Sequence, residues 1–409
     1  MKKSFLYLEL LAIKIFNKLK GCYKTKSQSK KVYLLRVLIC WLTGILLVGG
    51  NATAMDKYPS IIVNVLTAPA HVAYAVELRA KEFTKMTGAN VTVQRVKEYN
   101  DLYKIMMSDF SSGKNYYNAV VYPAMWMPDY ADPGYIEDLT ERIRTDVALA
   151  WNDIVLFFRK FIAVYKERAY CLPLDGDFQM LYYRSDIFNQ KGLSPPVTWE
   201  EYLETAKALH GLDMNNDGIP DYGSYISRKP GYEAYWYFLS IAAALIQSKG
   251  TSQGIFFDIR DMKPLVNNEA YEKALDIYVE LMRYGPPNEL ELDTDDLHCL
   301  FIEGRCGMAI AWGDIGIMAT TQGSKVKDRV GATILPGSRQ VLDFDAGKLV
   351  DCDDSHCPYA INGINHTPFA AFGGWAGSIN AKGNSKTKDA AYAFYPTWPS
   401  RNSPMSMSQ

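Results

Sequence analysis

Histidine is scarce: five in 409 residues, standing far apart as His71, His210, His298, His356 and His366. The H-E-x-x-H pair of a zinc protease is absent, and so is the G-x-x-x-x-G-K-[ST] loop that cradles nucleotide phosphates. Histidines so scattered are surface or core residues sooner than catalytic bases. Net positive charge is missing from the body of the chain. Residues 1–54 carry ten Lys/Arg against one Glu, which leaves 34 basic and 44 acidic groups for the remaining 355 residues. An acidic body does not track a phosphate backbone, so nucleic acid is not an expected partner. Long apolar runs are also missing after the leader. Residues 238–246 come nearest to one and fall short of the ~20 residues that a bilayer span needs. No internal repeat is visible. What remains is ordinary globular composition, 48% hydrophobic and 22% charged, which excludes collagen-like, coiled-coil and wholly disordered chains. The length fits two domains of roughly 100–200 residues each.

The leader has its own pattern. Lys24, Lys26, Lys30, Lys31 and Arg36 precede an apolar core at 37–48, and Ala52-Thr53-Ala54 supplies the small residues of an export cleavage site. Residues 1–54 therefore read as a signal peptide cut after Ala54. The alternative is an uncleaved anchor, because residues 5–16 are themselves fairly apolar. Either way the body is expected outside the cytoplasm, periplasmic or extracellular. Five cysteines follow the leader: Cys171, Cys299, Cys306, Cys352 and Cys357. In an oxidising compartment Cys352 and Cys357 are expected to form a local disulfide, with Cys299 and Cys306 a second candidate pair and Cys171 a lone buried thiol.

Along the body, residues 61–66, 90–96 and 118–122 read as strands, and 71–87 and 99–110 as helices between them. A β-α-β-α-β order predicts a mostly parallel sheet with right-handed crossovers. Ligands in such sheets lie beyond the carboxyl ends of the strands, here near Thr67-Ala68-Pro69 and Tyr122-Pro123-Ala124-Met125-Trp126. Further on, 170–173 and 180–184 read as strands. Thr198-Trp199-Glu200-Glu201 is a capping box. Residues 234–249 form a buried apolar helix. Residues 268–284 form an amphipathic one with Tyr271, Ala274, Leu275, Tyr278 and Met282 on a single face. Residues 308–312, 331–335 and 375–379 read as strands, and 386–394 begins a last helix.

Four of these segments, taken in order, carry a resemblance. Leu172-Pro173-Leu174-Asp175-Gly176-Asp177 is followed by Leu181-Tyr182-Tyr183-Arg184-Ser185-Asp186-Ile187-Phe188. The capped start Pro196-Val197-Thr198-Trp199-Glu200-Glu201 comes next. The third is Phe301-Ile302-Glu303-Gly304-Arg305-Cys306-Gly307-Met308-Ala309-Ile310-Ala311-Trp312, and the fourth is Gly373-Gly374-Trp375-Ala376-Gly377-Ser378-Ile379, then Lys388-Asp389-Ala390-Ala391-Tyr392-Ala393-Phe394. From about residue 61 to 394 the chain resembles the family 1 extracellular solute-binding proteins of ABC transporters, the maltose-binding-protein-like sugar-binding group. The resemblance implies a type II periplasmic-binding-protein-like α/β fold. Two lobes, each a mostly parallel sheet flanked by helices, are joined by hinge strands and hold a ligand in the cleft between them. It assigns 55–170 to lobe 1, with 376–394 returning to it, and 171–375 to lobe 2. It implies no enzymatic activity and no cofactor. The expected partners are a sugar or polyol and the permease subunits of an ABC transporter, met by a monomer. Members of the family run on past the helix matched at 386–394, whereas 395–409 reads as an irregular tail, so lobe 2 is expected to lack part of its packing. Two other readings are kept: a membrane-anchored sensory ectodomain of the same fold, and a glycan-active enzyme.

A site for sugars needs aromatic platforms beside carboxylates or amides, because sugar rings have apolar faces and rims of hydroxyls. The platform candidates are Trp126, Trp236, Trp312 and Trp375; Trp312 and Trp375 match family positions near the ligand. Asp175, Asp177 and Asp314 are the candidate hydroxyl acceptors. For each the plain alternative is core packing or turn chemistry. Asp213, Asn215, Asp217 and Asp221 space oxygens as at the start of a calcium loop, with Gly218 sixth, but Ser224 stands where the closing Glu belongs. Structural calcium is the metal expectation; zinc, with His298 and His356 beside the cysteines, is the alternative, against which the absence of C-x-x-C spacing counts.

Overall fold

The computed structural model describes residues 57–68, 71–231, 233–250, 253–367 and 373–395. The leader, and the tail beyond Tyr395, lie outside them. No helix among the described residues is long and apolar enough to cross a membrane. The chain divides into two compact units: unit 1 is 1–176 with 373–409, and unit 2 is 177–372.

Unit 1 begins with β1 (Ile62–Thr67), α1 (His71–Thr87), β2 (Asn90–Arg95), α2 (Tyr99–Ser111) and β3 (Ala119–Pro123). A small hairpin of β4 (Val164–Tyr165) and β5 (Arg168–Ala169) precedes β6 (Leu172–Pro173). Unit 2 runs from β7 (Met180–Arg184) through α3 (Ser185–Lys191), α4 (Trp199–Leu209), β8 (Tyr222–Tyr225), α5 (Ala234–Ile246), α6 (Glu269–Glu280), α7 (Thr294–Ile302), β9 (Cys306–Ala311) and α8 (Asp314–Thr320) to β10 (Val330–Thr333). A hairpin of β11 (Gln340–Asp343) and β12 (Lys348–Asp351) closes it. The chain then returns to unit 1 as β13 (Trp375–Ile379) and α9 (Ser385–Phe394).

The first sheet has the order β2-β1-β3-β13-β6. β1 lies parallel to β2 and β3, as the β-α-β-α-β reading requires. Val63, Val65 and Leu66 of β1 and all of β3 are buried because helices cover them: α1 turns Val72, Val76, Ala80 and Phe83 inward, and α2 turns Leu102, Met106 and Phe110 inward. α9 closes over α1, with the Phe83 and Phe394 rings 5.8 Å apart and the Arg79 guanidinium donating to the Phe394 carbonyl at 3.0 Å.

The expectation of a mostly parallel sheet in each lobe needs correction. β13 runs antiparallel to both β3 and β6. In the second sheet, ordered β10-β7-β9-β8, β7 is antiparallel to β10 and β9, and only β8 and β9 are parallel. A strand's direction depends on where its connection re-enters the sheet, which local residue pattern does not record. The boundaries also shift. β6 pairs with β13 inside the first sheet, so 171–176 and 373–375 belong to unit 1 rather than to the second lobe. Tyr395 is not part of an irregular tail either. It is buried, and its hydroxyl is shared between the carbonyls of Val120 at 2.9 Å and Ser378 at 3.1 Å.

Three local expectations meet detail. Thr198 caps α4 by accepting the Glu201 amide, while the Glu201 carboxylate accepts the amide of Val197, one residue before the usual position. α6 buries Ala270, Tyr271, Ala274 and Ile277, with Leu281 just beyond it. The buried stripe is rotated from the expected one, and Leu275 is 48% exposed. Cys352 and Cys357 form the expected disulfide. Cys306 is a free buried thiol inside β9, so the Cys299–Cys306 pair is not made, and Cys171 is the other free buried thiol among the described residues.

Candidate functional site

In unit 1 the chain leaves β3 at Pro123 in a tight 3₁₀ turn, which sets Trp126 just past the carboxyl end of the sheet. Its ring lies 5.4 Å from Tyr99 and 5.2 Å from Tyr103, both on α2. Tyr99 also meets Trp375 edge to face at 6.2 Å. Trp126 and Trp375 thus belong to one aromatic cluster, Trp126 half-buried and Trp375 buried. Tyr103 donates to Asp129 at 2.9 Å, and that hydrogen bond holds its pKa above the ordinary phenol value. Asp175 is exposed, but one of its oxygens accepts the Trp375 amide at 2.5 Å, so it pins the start of β13. Thr67, at the end of β1, is fully buried, and its hydroxyl has no hydrogen-bond partner among the described residues.

In unit 2 the analogous place is the end of β9. Trp312 follows it, 7% exposed, and its indole N–H donates to Glu233 at 2.9 Å. The same Glu233 oxygen accepts the Thr294 hydroxyl at 2.5 Å. Tyr237 meets Trp312 edge to face at 6.1 Å, and Tyr235 lies against Trp236 at 4.6 Å. Burial, with the Glu233 charge second, pushes Tyr235 up to about 12. Trp236 is half-buried and packs on the hydrophobic core of the unit, so part of its surface is structural. Behind it Ser240 donates to Gln179 at 2.6 Å. Asp314 opens α8, and its charge adds to the burial that pushes Tyr182 up to about 12. Asp177 is half-buried at the start of the unit.

The structure therefore groups Trp126 with Trp375 in unit 1. In unit 2 it places Trp312 on a carboxylate that the sequence reading missed. Glu233 stands two residues before the aromatic run at 235–237, and that adjacency was its only signal. Tyr99 and Tyr103 were missed because a tyrosine on a helix reads as core until the helix is docked.

The calcium-type loop lies elsewhere in unit 2, and its oxygens are turned inward. Asp213 accepts the amides of Asp217 at 3.0 Å and Gly218 at 2.9 Å, Asn215 accepts the Asp217 amide, and Asp217 accepts the Ile219 amide. Arg305 pairs with Asp217 and approaches Asp221 to 3.6 Å. Burial pushes the Asp221 carboxyl up, and its second oxygen accepts the Met214 amide at 2.7 Å. Backbone amides and the Arg305 guanidinium thus take up part of this donor set. Among the described residues no group of His, Cys, Asp and Glu is arranged to hold a metal ion. A groove of about 380 Å³ in the same unit lies among Lys249, Asp258, Arg260, Asp343, Asp345 and His356, and none of the candidate site residues lines it.

The chain is similar to known binding proteins. A mannitol-binding protein of Pseudomonas aeruginosa is 29% identical over 269 residues, 65% of this chain and 52% of its own length. An erythritol/L-threitol-binding protein of Mycolicibacterium smegmatis is 24% identical over 42% of this chain and 39% of its own. The chain thus spans about half, or less, of the length of the curated relatives it matches. Among solved structures, an ABC transporter solute-binding protein of Agrobacterium radiobacter K84 in complex with ribitol superposes with a TM-score of 0.65 at 23% identity, over 83% of this chain and 76% of that one. One from Agrobacterium vitis S4 with bound D-mannitol gives 0.62 at 19%, over 83% and 74%. Those structures share the two-lobe fold of type II periplasmic binding proteins. The family model for bacterial extracellular solute-binding proteins matches residues 79–402, most of the sequence, and the chain belongs to that family.

Proposed function

We propose that this chain is an exported binding protein that captures a polyol or small sugar and delivers it to the membrane subunits of an ABC transporter. The observation that carries the reading is Trp312 with its indole N–H on Glu233. The hydrogen bond sets the edge of the ring against the Glu233 carboxylate, and an aromatic ring beside a carboxylate is the pairing of groups that recognises a polyhydroxylated solute. Trp126, Tyr99 and Trp375 give unit 1 a second aromatic surface at the ends of its strands. Each unit thus carries what a polyhydroxylated solute requires. The names of the relatives, mannitol-binding and erythritol/L-threitol-binding, support an acyclic polyol as the first choice. The solute is bound and released unchanged, by a monomer and without a cofactor. Hydrolysis of a glycan would require two carboxyl groups flanking a bond ~5–9.5 Å apart, and Asp175 is occupied by the Trp375 amide. The leader exports the chain, and where it is retained it tethers the chain to the membrane.

The test is a thermal-shift screen followed by calorimetry with mannitol, ribitol, erythritol, glucose and maltose. Binding to the native state raises the midpoint by mass action, so a micromolar ligand at millimolar concentration gives a clear shift. A polyol should bind with one-to-one stoichiometry and be recovered chemically intact. A cooperative melt that no sugar or polyol moves would refute the assignment, and turnover of a glycan would replace it with an enzyme.

A further inference from the structure

Strand β7 turns alternate residues toward α5. Leu181 lies in the apolar core that α5 helps to build, and so do Met308 and Ile310 of β9, its pairing partner. Met180 pairs with Ala311, and Gln179 and Trp312 are the next residues on the two strands. α5 meets both of them: the Tyr237 ring lies 6.1 Å from Trp312, and the Ser240 hydroxyl lies 2.6 Å from the Gln179 side-chain oxygen. Gln179 is only 4% exposed, so an amide stands where the alternation calls for an apolar side chain. Its oxygen accepts from Ser240, but its nitrogen is buried with no hydrogen-bond partner among the described residues. Turning the amide over does not cure this. The nitrogen would then donate to Ser240 Oγ and the Ser240 proton would go to the Trp236 carbonyl at 3.2 Å, which leaves the amide oxygen unpaired instead. An unpaired buried polar atom is destabilising, and a methionine at this place would carry none. A local rule broken without compensation inside the fold points to a functional position.

We propose that Gln179 is a specificity-determining residue beside Trp312, whose unpaired amide atom takes a hydroxyl group of the solute. A hydroxyl is the fitting partner because it donates and accepts through one oxygen, and so completes the amide in either orientation. The Trp312 ring beside it takes the apolar carbon edge of the same polyol. The amide nitrogen is closed to solvent, so the solute reaches it with a change of rotamer at Gln179 or Trp312, of the kind that binding surfaces commonly undergo. The pairing discriminates by hydroxyl rather than by size, because a solute without that hydroxyl leaves the buried amide unpaired. The inference rests on the reading of this chain as a polyol-binding protein, and it says which feature of the solute unit 2 reads.

The experiment measures Kd by calorimetry on the full chain for mannitol, ribitol and erythritol and, for the polyol that binds most tightly, for each of its monodeoxy analogues. The wild type should bind one analogue at least about tenfold more weakly than the parent. Gln179→Met should weaken the parent about tenfold and leave that analogue unchanged, so that the preference between the two disappears. Its melting midpoint without solute should not fall, because Ser240 can turn its proton to the Trp236 carbonyl. If Gln179→Met does not fold, the side-chain amide signals of Gln179 are followed by NMR in the wild type, where they should shift on saturation with the parent and shift less with that analogue. A wild-type Kd for the parent in Gln179→Met, or amide signals that the parent does not move, would overturn the role of Gln179 and leave the binding-protein reading intact. An equal loss for the parent and every analogue, with a lower midpoint, would show a structural residue and overturn it as well. Failure of the wild type to bind any sugar or polyol would instead sink the proposed function, and this inference with it.

Discussion

The loop that delivers Glu233 to Trp312 starts at a buried ion pair, and removing one partner should be costly in a defined way. Arg228 and Glu289 are 2% and 3% exposed with N and O 2.7 Å apart. The other Glu289 oxygen accepts the Ile226 amide at 3.1 Å, and the guanidinium lies 3.9 Å over the Tyr278 ring. Burial pushes the Glu289 carboxyl above the ordinary glutamate value, and Arg228 opposes that push. Arg228→Met keeps most of the apolar stem and strands the carboxylate. Breaking such a pair costs about 3–5 kcal/mol. At ~1.4 kcal/mol per tenfold, amide exchange in β8 and β9 should accelerate about 10²–10⁴-fold near neutral pH, where these strands exchange by opening of the unit. Exchange in β1 and β3 of unit 1 should not change. The pH dependence has a fixed sign. Loss of the cation raises the folded pKa of Glu289 further above its unfolded value of ~4.3. A raised folded pKa gives stability that is present below the unfolded value and lost as pH rises through the folded one. The deficit of Arg228→Met is therefore largest near neutral pH and shrinks on acidification. Arg228→Met/Glu289→Leu, which removes both charges, should recover most of the loss. A deficit below about 1 kcal/mol, or one that does not shrink on acidification, would refute the reasoning, because exposed pairs behave that way and buried ones do not.

Glu233→Ala removes the acceptor that Trp312 and Thr294 share, at about 1–3 kcal/mol for each buried donor left behind, and should weaken solute binding at least about tenfold; unaltered affinity by calorimetry would show that Glu233 does not set the indole. Cys352→Ser/Cys357→Ser should destabilise the loop beyond β12 by about 2 kcal/mol, from the chain entropy of a short closed loop, read as faster amide exchange there, with a null result pointing to residual structure in the unfolded chain. Millimolar calcium should leave the melting midpoint where chelator leaves it, because Arg305 already neutralises Asp217 and Asp221; a clear upward shift would reinstate the metal at the Asp213–Asp221 loop.

Much of this protein was legible before any coordinates. The strands and helices of unit 1 follow from apolar spacing, because β3 is buried throughout, β1 over most of its length, and α1 and α2 on one face. Thr198 announces α4, and the short spacing of Cys352 and Cys357 announces their disulfide. The aromatic candidates were legible as residue types, since few other side chains offer a flat apolar face. Local pattern could not say which of them meet. Trp126 and Trp375 both meet Tyr99, and the three lie on a turn, a strand and a helix brought together by the β3–β13 pairing. Asp175, read as a candidate hydroxyl acceptor, also holds a backbone amide two hundred positions away. The calcium spacing is real in sequence, but Arg305, distant along the chain, supplies the counter-charge. Sequence by itself determined most of the elements and the family, because these depend on neighbours within a few residues. Tertiary structure alone decided strand direction and the partner of each indole, because these depend on pairings between segments whose separation no local periodicity encodes.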